Sequence, residues 1–202
     1  MKEPIKGAYL ASSAYVRGAE YGSVAGKIAA QVRAFKRAGL DCDLIPVDVP
    51  ETRWGNAINW APFLPTLEGW NPALLSPEYS FLYIRKPIFS RKFLRFLRAA
   101  KGRSPETKII LEIPTYPYDK EMQGAIAGVS LAKDRHYRTK LHRYVDRIAD
   151  LSRTESIFGI PTLPMINGID TDAVSTRKPS LRDGEIHILS VSGMCLWHGI
   201  DR

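Results

Sequence analysis

An α/β fold built on a parallel sheet is the class that the sequence predicts, on three observations. Apolar runs of strand length alternate with longer segments whose apolar residues recur at helical spacing, the alternation occurs twice before residue 114, and connections within each repeat are short. Strand, helix and strand joined in this way make a βαβ unit, which requires parallel pairing.

Residues 5–11 form the first apolar run, bounded by Pro4 and by Ser12 and Ser13, and read as a strand. A loop over residues 15–22 follows. Ser23 then offers an N-cap to a helix in which Val24, Ile28, Val32 and Phe35 share one face, and Gly39 ends it. Residues 41–49 are the second strand, placed near an edge or interrupted because Pro46 lacks a ladder donor. Residues 50–78 hold five of the fourteen prolines and three of the four tryptophans, Trp54, Trp60 and Trp70. Such a segment is too aromatic for a linker and is either a packed flap or a ligand-facing one. The sheet resumes at residues 79–85, followed by a helix over 90–100 and a strand over 107–113. A helical stretch over 131–145, a short run over 147–153 and a strand over 158–166 complete the pattern, which ends in the turn signal Asn167-Gly168-Ile169-Asp170. Residues 171–184 carry two clearly apolar side chains, Val174 and Leu181, as an interdomain connection does, and residues 185–191 read as one further strand.

The 202 residues, 45% apolar and 25% charged, describe an ordinary globular chain. No run approaches the ~18 apolar residues of a spanning helix, and the N-terminus lacks a signal-peptide layout, which predicts a cytoplasmic protein. Cys42 and Cys195 lie far apart in apolar surroundings and read as reduced core thiols. His136, His142, His187 and His198 show no metal spacing, so no metal is expected. The G-x-G-x-x-G pattern is absent, which disfavours a nicotinamide or flavin cofactor, and no cofactor is expected.

Charge is the less ordinary feature: 29 Lys and Arg against 21 Asp and Glu leave +8, which calls for an anionic partner. Eight basic and no acidic residues lie between Arg85 and Arg103, and six against two between Lys133 and Arg147. On the first of these helices Phe89, Phe93, Phe96 and Leu97 recur at helical spacing, with Arg91, Arg95 and Arg98 turned away. Arg91, Lys92, Arg95, Arg98, Lys133 and Arg138 are therefore candidates for an anionic membrane surface, against the alternative of a merely solvated face. No nucleic-acid motif accompanies them, so nucleic acid is not an expected partner.

Ligands of parallel sheets bind beyond the carboxyl ends of the strands, and two loops there are candidates. The loop after the first strand carries Arg17, Gly18 and Gly22 ahead of a helix N-terminus, where backbone donors and the helix dipole suit a phosphate; alternatively its glycines only permit a tight turn. Residues 112–119 put Glu112 at a strand end beside Thr115, Tyr116 and Tyr118. Hydroxyls, a carboxylate and aromatic rings suit a sugar, and the alternative is a paired glutamate with prolines stiffening the loop.

Several of these segments together resemble family 4 glycosyltransferases of the GT-B fold. The resemblance covers residues 5–202 and is carried by the Gly18 loop and following helix through Gln31 and Gly39, by Glu112-Ile113-Pro114-Thr115-Tyr116-Pro117-Tyr118, by Phe158-Gly159-Ile160-Pro161 leading to Asn167-Gly168-Ile169-Asp170, and by Ile188-Leu189-Ser190-Val191 with Trp197-His198-Gly199-Ile200-Asp201-Arg202.

The resemblance implies a Rossmann-like parallel sheet with helices on both faces, forming an acceptor-side domain over residues 1–170. A linker over 171–184 and the first strand of a second Rossmann-like, donor-binding domain over 185–202 follow, the rest of that domain being missing. It also implies retaining transfer of a sugar from a nucleotide-sugar to a cell-surface polysaccharide or lipid-linked acceptor, on the inner face of the membrane. Arg17, Gly18 and Ala19 are the donor-phosphate-facing positions, Glu112, Thr115, Tyr116 and Tyr118 face the acceptor, and Asn167, Gly168, Asp170, His198 and Arg202 lie on the interdomain side. Gly18-Ala19 replaces the family's paired glycines, while Met194 and His198 occupy places where relatives carry Arg and Lys on donor phosphates. The Glu-x7-Glu pair would lie beyond residue 202, so the chain alone is expected to be inactive. The different-class alternative is a non-enzymatic acceptor-binding or membrane-docking subunit that complements a separate donor domain, and strand 185–191 offers an edge for a homodimer.

Overall fold

The computed structural model describes residues 4–16, 24–50, 66–119 and 125–168. The chain divides into two compact units between Asn167 and Gly168, and the fold below is that of the first. Its strands are β1 (Ile5–Ser12), β2 (Leu40–Val47), β3 (Phe81–Arg85), β4 (Lys108–Ile113), β5 (Arg147–Asp150), β6 (Ser156–Ile157) and β7 (Ile160–Pro164). They form one sheet in the order β2-β1-β3-β4-β5-β7-β6, parallel throughout except for the β6–β7 hairpin. The helices are α1 (Ser13–Val16), α2 (Val24–Arg37), α3 (Arg91–Arg103) and α4 (Ala125–Arg138), with single 3-10 turns at Pro72–Leu74 and Leu141–Arg143.

Alternating strand residues are buried on opposite faces. Tyr9, Ala11, Cys42, Phe81 and Tyr83 pack with Ile28, Val32 and Phe35 of α2, whereas Ala8, Leu10, Leu82, Ile84, Ile109 and Leu111 pack with Phe93, Phe96 and Leu97 of α3 and Leu131 of α4. Helices on both faces explain why the strands read as continuous apolar runs. The fold is a Rossmann-like α/β sheet, as the sequence predicts. Pro46 is accommodated because β2 is an edge strand. Gly39 closes α2 at φ +81°, a conformation that suits glycine.

Two details depart from the sequence-based expectation, and a third decides between two readings of residues 50–78. The helix expected over 131–145 lies at Ala125–Arg138; Leu141, which opens the 3-10 turn, and Val145, just beyond it, continue the apolar spacing and are buried all the same. The two-residue strand β6 is too short to show a period, and it turns into β7 through Phe158 and Gly159, both at positive φ, as a two-residue hairpin requires. Trp70 belongs to a packed flap: it is buried, with its ring 4.8 Å from that of Phe93 and 5.2 Å from that of Phe96. Trp54 and Trp60 lie outside the described residues, as do Cys195 and strand 185–191. Cys42 is a buried thiol whose pKa desolvation pushes up to about 11. Among the described residues no helix is long and apolar enough to cross a membrane.

Candidate functional site

From β1 the chain moves to β2 on one side and then returns to place β3 on the other, so the topological switch point lies between β1 and β3. At such a point the loops beyond the carboxyl ends diverge and leave a crevice. Three connections leave that edge here: the one after β1, residues 86–90 after β3 and residues 114–119 after β4.

Under the α2 side of the edge lies a buried polar network. Arg85 and Glu112 are register partners on β3 and β4, and Arg85 donates to Glu112 Oε1 at 2.7 Å with Glu112 fully buried and the Arg85 side chain 8% exposed. The Tyr9 hydroxyl is 2.8 Å from both Glu112 Oε2 and Gln31 Oε1, sharing its one hydrogen, while Gln31 Nε2 reaches Glu112 Oε2 at 3.5 Å. Desolvation, followed by the Glu112 charge, pushes the Tyr9 phenol well above its ordinary range, so it stays a donor. Tyr83 next to it is raised for the same leading reason, and its hydroxyl donates to Met165 Sδ at 3.2 Å. A buried ion pair of this kind holds only if the remaining lone pairs are satisfied, which Tyr9 and Gln31 accomplish.

The opposite side of the same edge carries a second cluster. Asp134 of α4 accepts from the Tyr118 hydroxyl and, at 3.4 Å, from the Phe89 backbone N–H, and Lys86 Nζ lies 3.6 Å from it. Lys86 Nζ also stands 4.0 Å from the Tyr118 ring centroid. Arg138 pairs with Asp119 at 2.7 Å and covers the Phe158 ring at 4.9 Å, while Arg135 joins Asp119 at 2.9 Å. These two arginines hold the Asp119 carboxyl below its ordinary value. Residues 114–119, which include a cis peptide at Tyr116–Pro117, are thereby tied to α4.

A third group closes this rim. Thr66 Oγ1 donates to Ser90 Oγ, the N-cap oxygen of α3, and the Trp70 indole donates to Glu68 Oε2 at 2.9 Å. Glu68 is 5% exposed, and desolvation pushes its pKa up to about 7 against the opposing pull of Trp70, Lys133, Lys92 and Lys86. Lys133 is also 5% exposed, and its pKa is lowered by the same desolvation.

Of the residues singled out from sequence, Arg17, Gly18, Ala19, Asp170, His198 and Arg202 lie outside the described residues. Glu112 and Tyr118 are brought to the same edge but to opposite faces, and both are buried in internal contacts; Thr115 is exposed, and the ring of half-buried Tyr116 packs edge-on against Phe158. Asn167 Oδ1 accepts from Lys27 Nζ at 3.1 Å, and Gly168 has open space around its α-carbon. Arg91, Arg95 and Arg98 face solvent and Lys92 is half-buried, whereas Lys133 is buried and Arg138 is paired, so these six do not form one free surface. Sequence reading missed Tyr9, Gln31, Arg85 and Glu68. A signal existed for Arg85, a cation ending an otherwise apolar strand; a buried tyrosine in mid-strand gives none. No protein-family model matches the chain, and no curated protein or solved structure matches it significantly.

Proposed function

We propose that the chain supplies the acceptor-side domain of a retaining glycosyltransferase, which moves a sugar from a nucleotide-sugar onto a polysaccharide or lipid-linked acceptor. The observation that carries this reading is the rim at the β1/β3 switch point. There the buried Arg85–Glu112–Tyr9 network fixes the ends of β3 and β4 from below, so that the loops above can position an acceptor. The resemblance of residues 112–118 and 158–170 to family 4 enzymes supports the substrate class. Catalysis by such a half consists of orientation and electrostatics in a cleft, which fixed strand ends suit.

No two glutamates in the sequence are separated by seven residues, so the chain contributes no Glu-x7-Glu pair. Purified alone, it is expected to show no turnover of UDP- or GDP-sugars, yet to give transfer when combined with a donor-binding domain that carries that pair. Robust transfer by the 202-residue chain alone, or no gain on adding such a domain, overturns the proposal.

Peripheral membrane docking is a second reading, favoured by the outward Arg91, Arg95 and Arg98 of α3. Their attraction is purely electrostatic, because Phe93, Phe96 and Leu97 are already spent on the sheet, and each charge near an anionic surface is worth about 1 kcal/mol. Co-sedimentation with anionic but not neutral vesicles is the expected result, and equal binding to both removes this reading.

A further inference from the structure

The crevice at the switch point holds a donor group that strand pairing does not use up. Arg85 ends β3 with its side chain 8% exposed, and Glu112 of β4 accepts from one of its N–H groups at 2.7 Å. The Tyr9 hydroxyl lies close enough to feel the guanidinium. A guanidinium carries a planar fork of donors, more than one carboxylate oxygen and one hydroxyl can occupy. Among the described residues Arg85 makes no further hydrogen bond, and none of its nitrogens belongs to the buried polar atoms without a partner. The unused N–H groups therefore meet solvent.

Two neighbours on opposite sides of β3 define the place. Glu112 stands on the β4 side and is fully buried. Tyr15, in α1 directly after β1, stands on the other side with its ring centroid 5.9 Å from the Arg85 guanidinium carbon. Tyr15 is 43% exposed, so its ring offers apolar surface to a ligand. Its short helix is anchored from below, where Ser13 is buried and its Oγ accepts from the Val49 N–H beyond β2 at 3.3 Å. The guanidinium is fixed as well, since Tyr9 and Gln31 hold the carboxylate to which it is bonded.

Charge balance selects the ligand. Glu112 already opposes the Arg85 charge in direct contact. An anionic group on the outer N–H groups would set a second negative charge against the same guanidinium, in surroundings that screen the two anions poorly. Hydroxyl oxygens accept from the same donors without that penalty. A pyranose presents neighbouring hydroxyls to such a fork, and its C–H face packs on an aromatic ring.

We propose that Arg85 and Tyr15 form an acceptor subsite for a neutral sugar ring, with Arg85 donating to two neighbouring hydroxyl oxygens and Tyr15 covering the C–H face. The subsite rests on the sugar-transfer reading for its role, and it narrows the acceptor to one whose ring held there bears no carboxylate or phosphate.

The test follows the Arg85 Nε–H resonance of the nitrogen-15-labelled full chain during titration with the methyl glycosides of glucose, galactose and mannose and with the corresponding uronates. Arg85→Lys, which keeps a charge opposite Glu112 but loses the fork, assigns that resonance by its disappearance. At least one neutral glycoside is expected to shift it saturably, and the matching uronate to bind about fivefold more weakly. Tyr15→Ala, at an exposed position that should leave the fold intact, is expected to weaken the neutral sugar about fivefold. The proposal is overturned if none of the three neutral glycosides shifts the resonance, if the uronates bind more tightly than their parents, or if Tyr15→Ala binds as the parent chain does. Binding is read on this chain without a donor domain. Absence of transfer on adding such a domain, with sugar binding intact, therefore removes the transfer reading and leaves the sugar subsite standing.

Discussion

Glu68 also makes a strong statement about stability. Its carboxyl is raised from an ordinary 4.5 to about 7, with desolvation as the largest cause. Each pKa unit corresponds to ~1.36 kcal/mol, so the rise amounts to roughly 3 kcal/mol of preference for the neutral form in the folded state. The sign follows from proton binding. Where the folded chain holds a proton that the unfolded chain has lost, raising the pH favours unfolding. The contribution of Glu68 is fully present below about pH 4.5 and is lost as pH rises through about 7. Glu68→Gln keeps an oxygen to accept from the Trp70 indole and cannot ionise. Relative to the parent it should gain nothing near pH 4 and up to about 3 kcal/mol near pH 8, or about 6 to 12 °C in Tm for a domain of this size. Urea unfolding followed by far-ultraviolet circular dichroism across that range is the assay, and titrations common to both proteins cancel in the difference. Parallel pH profiles for parent and variant would refute the reasoning, because a carboxyl that ionises normally has been neither desolvated nor trapped.

Three further outcomes are expected. Arg85→Met strands the fully buried Glu112 carboxylate and should cost about 3 to 5 kcal/mol, on the order of 10 °C in Tm; Arg85→Met/Glu112→Leu should recover part of it, and a single-variant loss under about 1 kcal/mol rejects the buried-pair description. A Cβ on Gly7 would stand 2.3 Å from the Phe81 ring, so Gly7→Ala should cost about 1 to 3 kcal/mol by denaturant unfolding, and adding Phe81→Leu should relieve it. Asp146 Oδ2 accepts from Lys101 Nζ at 2.7 Å and from the Ile109 N–H at 2.8 Å, so Asp146→Asn should cost about 1 kcal/mol and speed hydrogen exchange at the Ile109 amide.

The elements were largely legible because burial on both faces leaves a strong mark on sequence. Residues 5–11 and 107–113 have few polar positions, and their strands lie inside the sheet; Pro46 marked the edge. Where the period misled, as at Leu141 and Val145, tertiary packing buried apolar residues beyond the helix that began the pattern. The site was legible in place but not in orientation. Glu112 stands at the end of a strand beside a Tyr-Pro loop, as a rim carboxylate does, yet its side chain turns inward to Arg85 and Tyr9. Neither partner is near it in sequence, and a strand carries no local sign of which buried residue across the sheet is polar. Glu68 and Lys133, sixty-five positions apart, pose the same problem.

The alternation of a strand also explains how one edge comes to hold two different electrostatic environments. Arg85 and Lys86 are consecutive at the end of β3, so their side chains leave on opposite faces. Arg85 meets a carboxylate in direct contact, with Tyr9 and Gln31 completing its shell, and its charge is consumed in structure. Lys86 stands 3.6 Å from Asp134, whose carboxylate also accepts from the Tyr118 hydroxyl and the Phe89 N–H, and its ammonium lies 4.0 Å from the Tyr118 ring centroid. The pair on the α2 side fixes the ends of β3 and β4 to each other, while the contact on the α3 side ties the chain just after β3 to α4. Both environments hold the carboxyl ends of the strands in place, and a ligand bound at that edge is positioned only as well as the strands beneath it.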